Sequence, residues 1–201
     1  MRIFVTGVGG QLGHDVMNEL AKRGYEGVGS DIAPSYSGIA DGTAVTTMPY
    51  VQMDITDKTS VEKVIKEANV DAVIHCAAWT AVDLAEDEDK MGKVRAINAG
   101  GTENIAKVCK EINAKLMYIS TDYVFNGEGE RPWQPDDTVT IPLNEYGYSK
   151  YLGEQAVQKY VKDFYIVRIA WVFGINGKNF VKTMLNVGKN HDTVRVVNDQ
   201  I

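Results

Sequence analysis

The chain has 201 residues, of which 44% are hydrophobic and 24% charged, with a formal net charge of −6. That size accommodates one domain with a substantial core. The acidic balance argues against nucleic acid or an anionic membrane as the main partner, and no apolar run approaches membrane-spanning length.

Arg2-Ile-Phe-Val-Thr6 reads as the first strand of a buried parallel sheet. It runs into Gly7-Val-Gly-Gly10-Gln-Leu-Gly13 and then an amphipathic stretch from Asp15 to Lys22. Strand, glycine turn and helix form the setting of a dinucleotide fingerprint, in which backbone N–H groups approach a pyrophosphate. The spacing is Gly-x-x-Gly-x-x-Gly, and Gly9 leaves open which peptide makes the close approach. Because Met1 leads directly into this strand, no secretory leader is expected.

Tyr25 to Asp31 reads as a second strand ending in an acid suited to hydrogen bonding an adenosine ribose. No arginine or lysine lies between Asp31 and Asp57, which tilts the local reading toward NADH. Residues 33–50 read as a long loop that covers the adenosine or is mobile. Val51 to Ile55 reads as the third strand, and Lys58 to Ala68 as a helix capped by Asp57 or Thr59.

Asp71 to Ala78 is the fourth expected strand, and its small Ala77 and Ala78 would let a flat ligand lie against backbone. His75 within it reads as a hydrogen-bonded core residue, and no metal site is expected. Cys76 and Cys109 stand in apolar contexts without a Cys-x-x-Cys spacing, so both read as buried thiols of a reducing, cytoplasmic compartment. The acids of Glu86 to Asp89 fit the start of a helix spanning about 87–112, with Gly100-Gly101 as its weak point.

Lys115 to Asp122 reads as a strand ending in hydroxyls, followed by a Gly- and Pro-containing loop over 126–144. Trp133 in that loop packs either over the substrate side or as a loop anchor. A helix is expected from Tyr146 to Val161, a strand from Phe164 to Phe173, and a helix from Phe180 to Val187. Val194 to Val197 reads as the start of a further strand. This alternation predicts an α/β fold, a doubly wound parallel sheet of the Rossmann kind.

Tyr146 and Lys150 lie four apart, on one face of their helix. An ammonium there favours ionisation of a phenol whose ordinary pKa is about 10. With ten tyrosines in the chain the spacing alone is unselective. However, Thr121 at a strand end would share the crevice, and hydroxyl, phenol and ammonium together make a carbonyl-reducing site.

These pieces resemble the extended short-chain dehydrogenase/reductase family over essentially the whole chain. The selective stretches are Gly10-Gln-Leu-Gly13, Cys76-Ala-Ala-Trp-Thr-Ala-Val-Asp83, Ser120-Thr-Asp-Tyr-Val-Phe125, Pro142 to Lys150, Ala170-Trp-Val-Phe-Gly174 and Val196 to Gln200. Within the family the chain is most similar to the branch that reduces the C4 keto group of dTDP-4-keto-6-deoxy sugars for surface polysaccharide synthesis. The resemblance implies NADPH or NADH as cofactor and a nucleotide-sugar as substrate. It makes Tyr146 the general acid. Lys150 would lower its pKa and hold the nicotinamide ribose, and Thr121, Asp122 and Tyr123 would meet the sugar. Gly7, Gly10, Gln11, Leu12 and Gly13 would line the pyrophosphate and Asp31 the adenosine ribose. Asp54 and Ile55 would lie by the adenine, and Ala77, Ala78 and Thr80 along the nicotinamide.

Members of the family continue past an Asp-Gln pair into a C-terminal lobe that holds the nucleotide-sugar. The expected division is therefore 1–172 for the NAD(P)-binding domain and 173–201 for the start of a sugar-binding side, the small substrate lobe being largely absent. A fragment so divided would bind NAD(P)H but reduce the sugar poorly. Asp15 stands where some members carry a glutamate linked to metal-bridged dimerisation; a homodimer is an assembly the resemblance allows. Two alternatives stay open: a non-catalytic subunit like the regulatory subunit of methionine adenosyltransferase, and a related nucleotide-sugar dehydratase or epimerase. Dehydratases carry Thr-Asp-Glu where this chain has Thr121-Asp122-Tyr123.

Overall fold

The structure, a computed structural model, describes residues 1–36, 47–128 and 131–196. Six strands, β1 (Arg2–Thr6), β2 (Glu26–Asp31), β3 (Tyr50–Gln52), β4 (Ala72–His75), β5 (Lys115–Thr121) and β6 (Phe164–Ile169), form one sheet in the order β3-β2-β1-β4-β5-β6. All five pairings are parallel. The order reverses between β1 and β4, and a parallel sheet opens a crevice at the carboxyl ends of the strands at that switch point.

The helices are α1 (Gln11–Lys22), α2 (Lys58–Ala68), α3 (Glu88–Arg95), α4 (Thr102–Ile112), α5 (Glu145–Tyr160) and α6 (Phe180–Asn190). Val61 and Ile65 of α2, Ile105 and Cys109 of α4 and Val157 of α5 bury themselves against one face of the sheet. Met17 and Leu20 of α1 pack on the other, against Ile3, Val5 and Val8. Glycines in β2 let α1 come this close: a Cβ on Gly29 would lie 3.1 Å from the Met17 methyl and 3.2 Å from Val8. Helices on both faces make the sheet doubly wound. None of α6 is buried.

Several expected boundaries shift. The third strand stops at Gln52 rather than Ile55, because the Asp54 carboxylate takes the backbone N–H of Thr56 at 2.8 Å and turns the chain. The sixth strand ends at Ile169 rather than Phe173, and Trp171 beyond it adopts φ +51°, outside strand geometry. The expected single helix over 87–112 is α3 and α4 joined by a π-helical turn, Ala96–Gly101. Gly101 sits there because a side chain would strike Ile55, whose Cδ1 is 2.7 Å from the Cβ position. The helix before it starts at Glu88, while Asp83–Glu86 forms a 3-10 turn. Val194 to Val196 are not in a strand, and Val197 falls outside the described residues, as does most of the 33–50 loop. Among the described residues no helix is long and apolar enough to cross a membrane.

Candidate active site

The carboxyl ends of the strands open into one cleft of about 820 Å³. Every residue expected from the sequence to contact cofactor or substrate lines it, from Gly7, Gly10, Gln11, Leu12 and Gly13 at one end to Thr121, Asp122, Tyr123, Tyr146 and Lys150 at the other. Asp31, Asp54, Ile55, Ala77, Ala78 and Thr80 lie between.

Backbone builds the glycine end. Gly7 has φ +72°, and a Cβ on it would lie 2.6 Å from the Ala77 nitrogen, so both conformation and space require glycine. The Gly10 N–H donates to the Gly7 carbonyl at 3.0 Å, closing the turn. Gly10 is the N-cap of α1 and offers no side-chain acceptor, and the first turn holds no acid. The opening N–H groups of α1 therefore face the cleft without a side-chain cap, the arrangement that receives an anion. Asp31 folds back over this turn: its Oδ2 accepts from Gly9 N at 2.8 Å and its Oδ1 from Ile32 N at 2.7 Å. Beside it lies a hollow of about 380 Å³ lined by Gly9, Gly10, Asp31, Ala33, Ser35, Tyr36 and Tyr50, none of them cationic.

Side chains build the other end. Asn144 caps α5 by accepting from Gly147 N at 2.7 Å. Gly147 is pressed onto the Tyr123 carbonyl, where no larger residue would fit. Glu86 accepts from Glu145 N at 2.7 Å, and Arg95 holds the Glu145 carboxylate through two bonds of 2.7 Å. Glu86 thus stabilises the start of α5, not of the helix that follows it in sequence. Tyr146 is thereby fixed against Tyr123, edge to face at 5.8 Å. Burial raises the Tyr146 pKa above its ordinary value, while hydrogen bonding with the Thr121 side chain pulls it down.

Lys150 is buried, and its Nζ donates to the Ile119 carbonyl at 2.7 Å, with the Tyr118 ring centroid 4.2 Å away. Burial lowers its pKa to about 7, opposed by the negative charge of Glu154. The expected effect of an ammonium on the phenol is thus not the dominant one here. Burial is the largest influence on both groups, raising the Tyr146 pKa and lowering that of Lys150. His75 is the core residue the sequence suggested, bonded to Thr6 at 2.7 Å and Thr102 at 3.1 Å, and burial lowers its pKa to about 3. Cys76 borders the cleft instead of being fully buried, with its thiol pKa pushed up to about 12 by desolvation. Trp133 stacks on Phe125 at 4.3 Å, the loop-anchor arrangement.

Sequence reasoning passed over other contributors. Ser30 lines the cleft next to Asp31, and its buried Oγ has no hydrogen-bond partner among the described residues. Its place at a strand end was signal enough to include it. Glu154, one turn after Lys150, is buried and accepts from Ser120 at 2.5 Å and from Arg168 at 3.0 and 2.8 Å. Asn98, inside the π turn, accepts from Trp79 N at 2.8 Å and donates to Ser149 at 3.0 Å. Nothing local marked Gly177 and Lys178, which also line the cleft. No cluster of potential metal ligands occurs among the described residues.

The family model for the RmlD substrate binding domain matches residues 1–201. A dTDP-4-dehydrorhamnose reductase of Streptomyces griseus is 39% identical over 99% of this chain and 59% of its own length. The crystal structure of a dTDP-4-dehydrorhamnose reductase from Clostridium acetobutylicum superposes with a TM-score of 0.85 at 38% identity, covering 99% of this chain and 63% of that one. A Bacillus anthracis dTDP-4-dehydrorhamnose reductase, solved in complex with NADP, gives a TM-score of 0.81 at 37% identity over 94% of this chain and 60% of that one. The chain thus spans 59–63% of these relatives' length.

Proposed function

This chain belongs to the RmlD substrate binding domain family, and we propose that it carries the cofactor-binding and proton-transfer machinery of an NAD(P)H-dependent dTDP-4-dehydrorhamnose reductase. The observation that carries this reading is that the uncapped start of α1 and the Thr121, Tyr146 and Lys150 side chains open into the same cleft.

The residues present fit a nicotinamide dinucleotide. Open N–H groups at α1 suit a pyrophosphate, and the unpartnered Ser30 hydroxyl marks a polar position that a bound group would satisfy. Gly7, Gly10, Gln11, Leu12 and Gly13 would hold the diphosphate, Asp31 the adenosine ribose, and Asp54 and Ile55 the adenine. Ala77, Ala78 and Thr80 would flank the nicotinamide, and Lys150 would reach its ribose. When bound, the cofactor supplies a hydride to the carbonyl carbon. The relative solved with NADP supports a place for that cofactor, whereas the cation-free hollow by Asp31 suits NADH.

Tyr146 gives its phenolic proton to the carbonyl oxygen as the C–O double bond is reduced to an alcohol. Thr121 orients the same oxygen, while Asp122 and Tyr123 border the sugar. Residues 173–201 begin the side that meets the nucleotide-sugar, and residues 1–172 form the dinucleotide half. A cytoplasmic enzyme that acts as a homodimer is part of this reading.

Deuterium at both C4 positions of the reduced nicotinamide tests the reading. In the protein that carries this chain, the label should appear at C4 of the sugar product from dTDP-4-dehydrorhamnose. Product without label, or no product with every 4-keto sugar nucleotide offered, would overturn it.

A further inference from the structure

The segment from Gly174 to Asn179, between β6 and α6, lies across the start of α1. Asn176 donates to the Asp15 carboxylate. Asn179 donates to Gln11 at 3.4 Å and to the Gly174 carbonyl at 2.9 Å, and both asparagines are buried. A Cβ on Gly177, which has φ +66°, would lie 3.1 Å from the Gln11 Cβ, so the segment packs directly on the Gln11 side chain. Lys182 closes the segment from below through the Ile175 and Gly177 carbonyls. This clasp brings Gly177 and Lys178 to the wall of the cleft at the α1 end.

Among the described residues lining the cleft the charged ones are Asp31, Asp54, Asp122, Lys150 and Lys178. Lys150 is buried at the opposite end on the Ile119 carbonyl. Lys178 is exposed and makes no ion pair among the described residues. A dinucleotide diphosphate carries two negative charges, and the helix end alone offers only a partial positive one. We propose that Gly174 to Asn179 is a clasp held on α1 by the Asn176–Asp15 and Asn179–Gln11 bonds, and that Lys178 is the cation that pairs with the dinucleotide diphosphate. The inference rests on the cofactor reading above. It adds a second phosphate-binding element from residues 174–179, which lie beyond the 1–172 division drawn above.

The test is titration of the 201-residue chain with NADH, ADP and adenosine. Lys178→Ala should weaken NADH and ADP roughly tenfold, the scale of one charge-assisted hydrogen bond to a phosphate. Adenosine, which has no phosphate, should change by less than about twofold. Lys178→Arg should restore most of the loss. Asn176→Ala leaves the lysine in place but frees the clasp, and should weaken NADH and ADP in the same phosphate-dependent way. Equal NADH and ADP affinity in wild type and Lys178→Ala would overturn the inference while leaving the cofactor reading intact. So would a loss that extends equally to adenosine. A folded wild-type chain that binds neither NADH nor NADPH would instead remove the cofactor reading, and this inference with it.

Discussion

The two ends of the cleft solve opposite problems with opposite materials. At α1 the chain removes side chains, so that bare peptide N–H groups can come close to a charged group. At α5 it crowds side chains together, so that burial, more than charge, governs how tightly Tyr146 and Lys150 hold protons. At the first end Gly7 and Gly13 tolerate no added atom. The second tolerates little change of polarity. The two meet at Thr6, whose hydroxyl accepts from Ala77 N at 3.1 Å and bonds His75 at 2.7 Å beneath the glycine turn.

Gly7→Ala should break the comparison most severely. A methyl group at φ +72° must also displace the backbone of Ala77, so strain and overpacking together should cost about 4 kcal/mol. Denaturant unfolding would measure that loss, and dinucleotide binding should disappear with it. A variant of wild-type stability would mean that the turn has room the structure does not show.

Tyr146→Phe keeps the ring and removes the proton. Turnover should fall at least ~10²-fold, the scale of general acid catalysis, with dinucleotide affinity barely altered. Near-normal reduction by the phenylalanine variant would show that the proton comes from elsewhere.

The shared floor gives a pH test. His75 is held neutral in the fold, its pKa depressed from 6.5 to about 3. The unfolded chain therefore takes up a proton first as pH falls through 6.5, and stability drops until about pH 3. One such group contributes a slope of up to about 1.4 kcal/mol per pH unit. His75→Gln should lack that part of the slope, leaving only the carboxylates. Parallel stability curves for the two proteins across this window would show that the imidazole is solvated after all.

Asp31→Asn should have the smallest effect. If the carboxylate repels a 2′-phosphate, removing its charge should improve NADPH relative to NADH by a few-fold, on the order of 1 kcal/mol. An unchanged ratio would place cofactor choice in other residues. In the structure Asp31 is already engaged by Gly9 and Ile32, which keeps the expected change modest.

The difference between the ends also explains what the sequence made legible. Glycine turns, capped helices and apolar strands are local patterns, so β1, α2 and the residues that converge on the cleft could be read directly. The π turn at Ala96–Gly101 could not, because it exists to place Asn98 against Trp79 and Ser149 and to bring Gly101 onto Ile55. Those partners are distant in sequence. Strand ends were misplaced where a local side chain overrides the strand, as Asp54 does after β3. The direction of the Tyr146 shift was hidden for the same reason. Spacing places the lysine one turn away, whereas depth of burial is a property of the assembled fold.

The most direct measurement is a fluorescence titration of NADH with the folded 201-residue chain, repeated with NADPH. Saturable binding at one dinucleotide per chain, competed by ADP-ribose and abolished in any Gly7→Ala protein that remains folded, is the predicted result. A chain with an intact circular dichroism spectrum that binds neither dinucleotide would contradict the account.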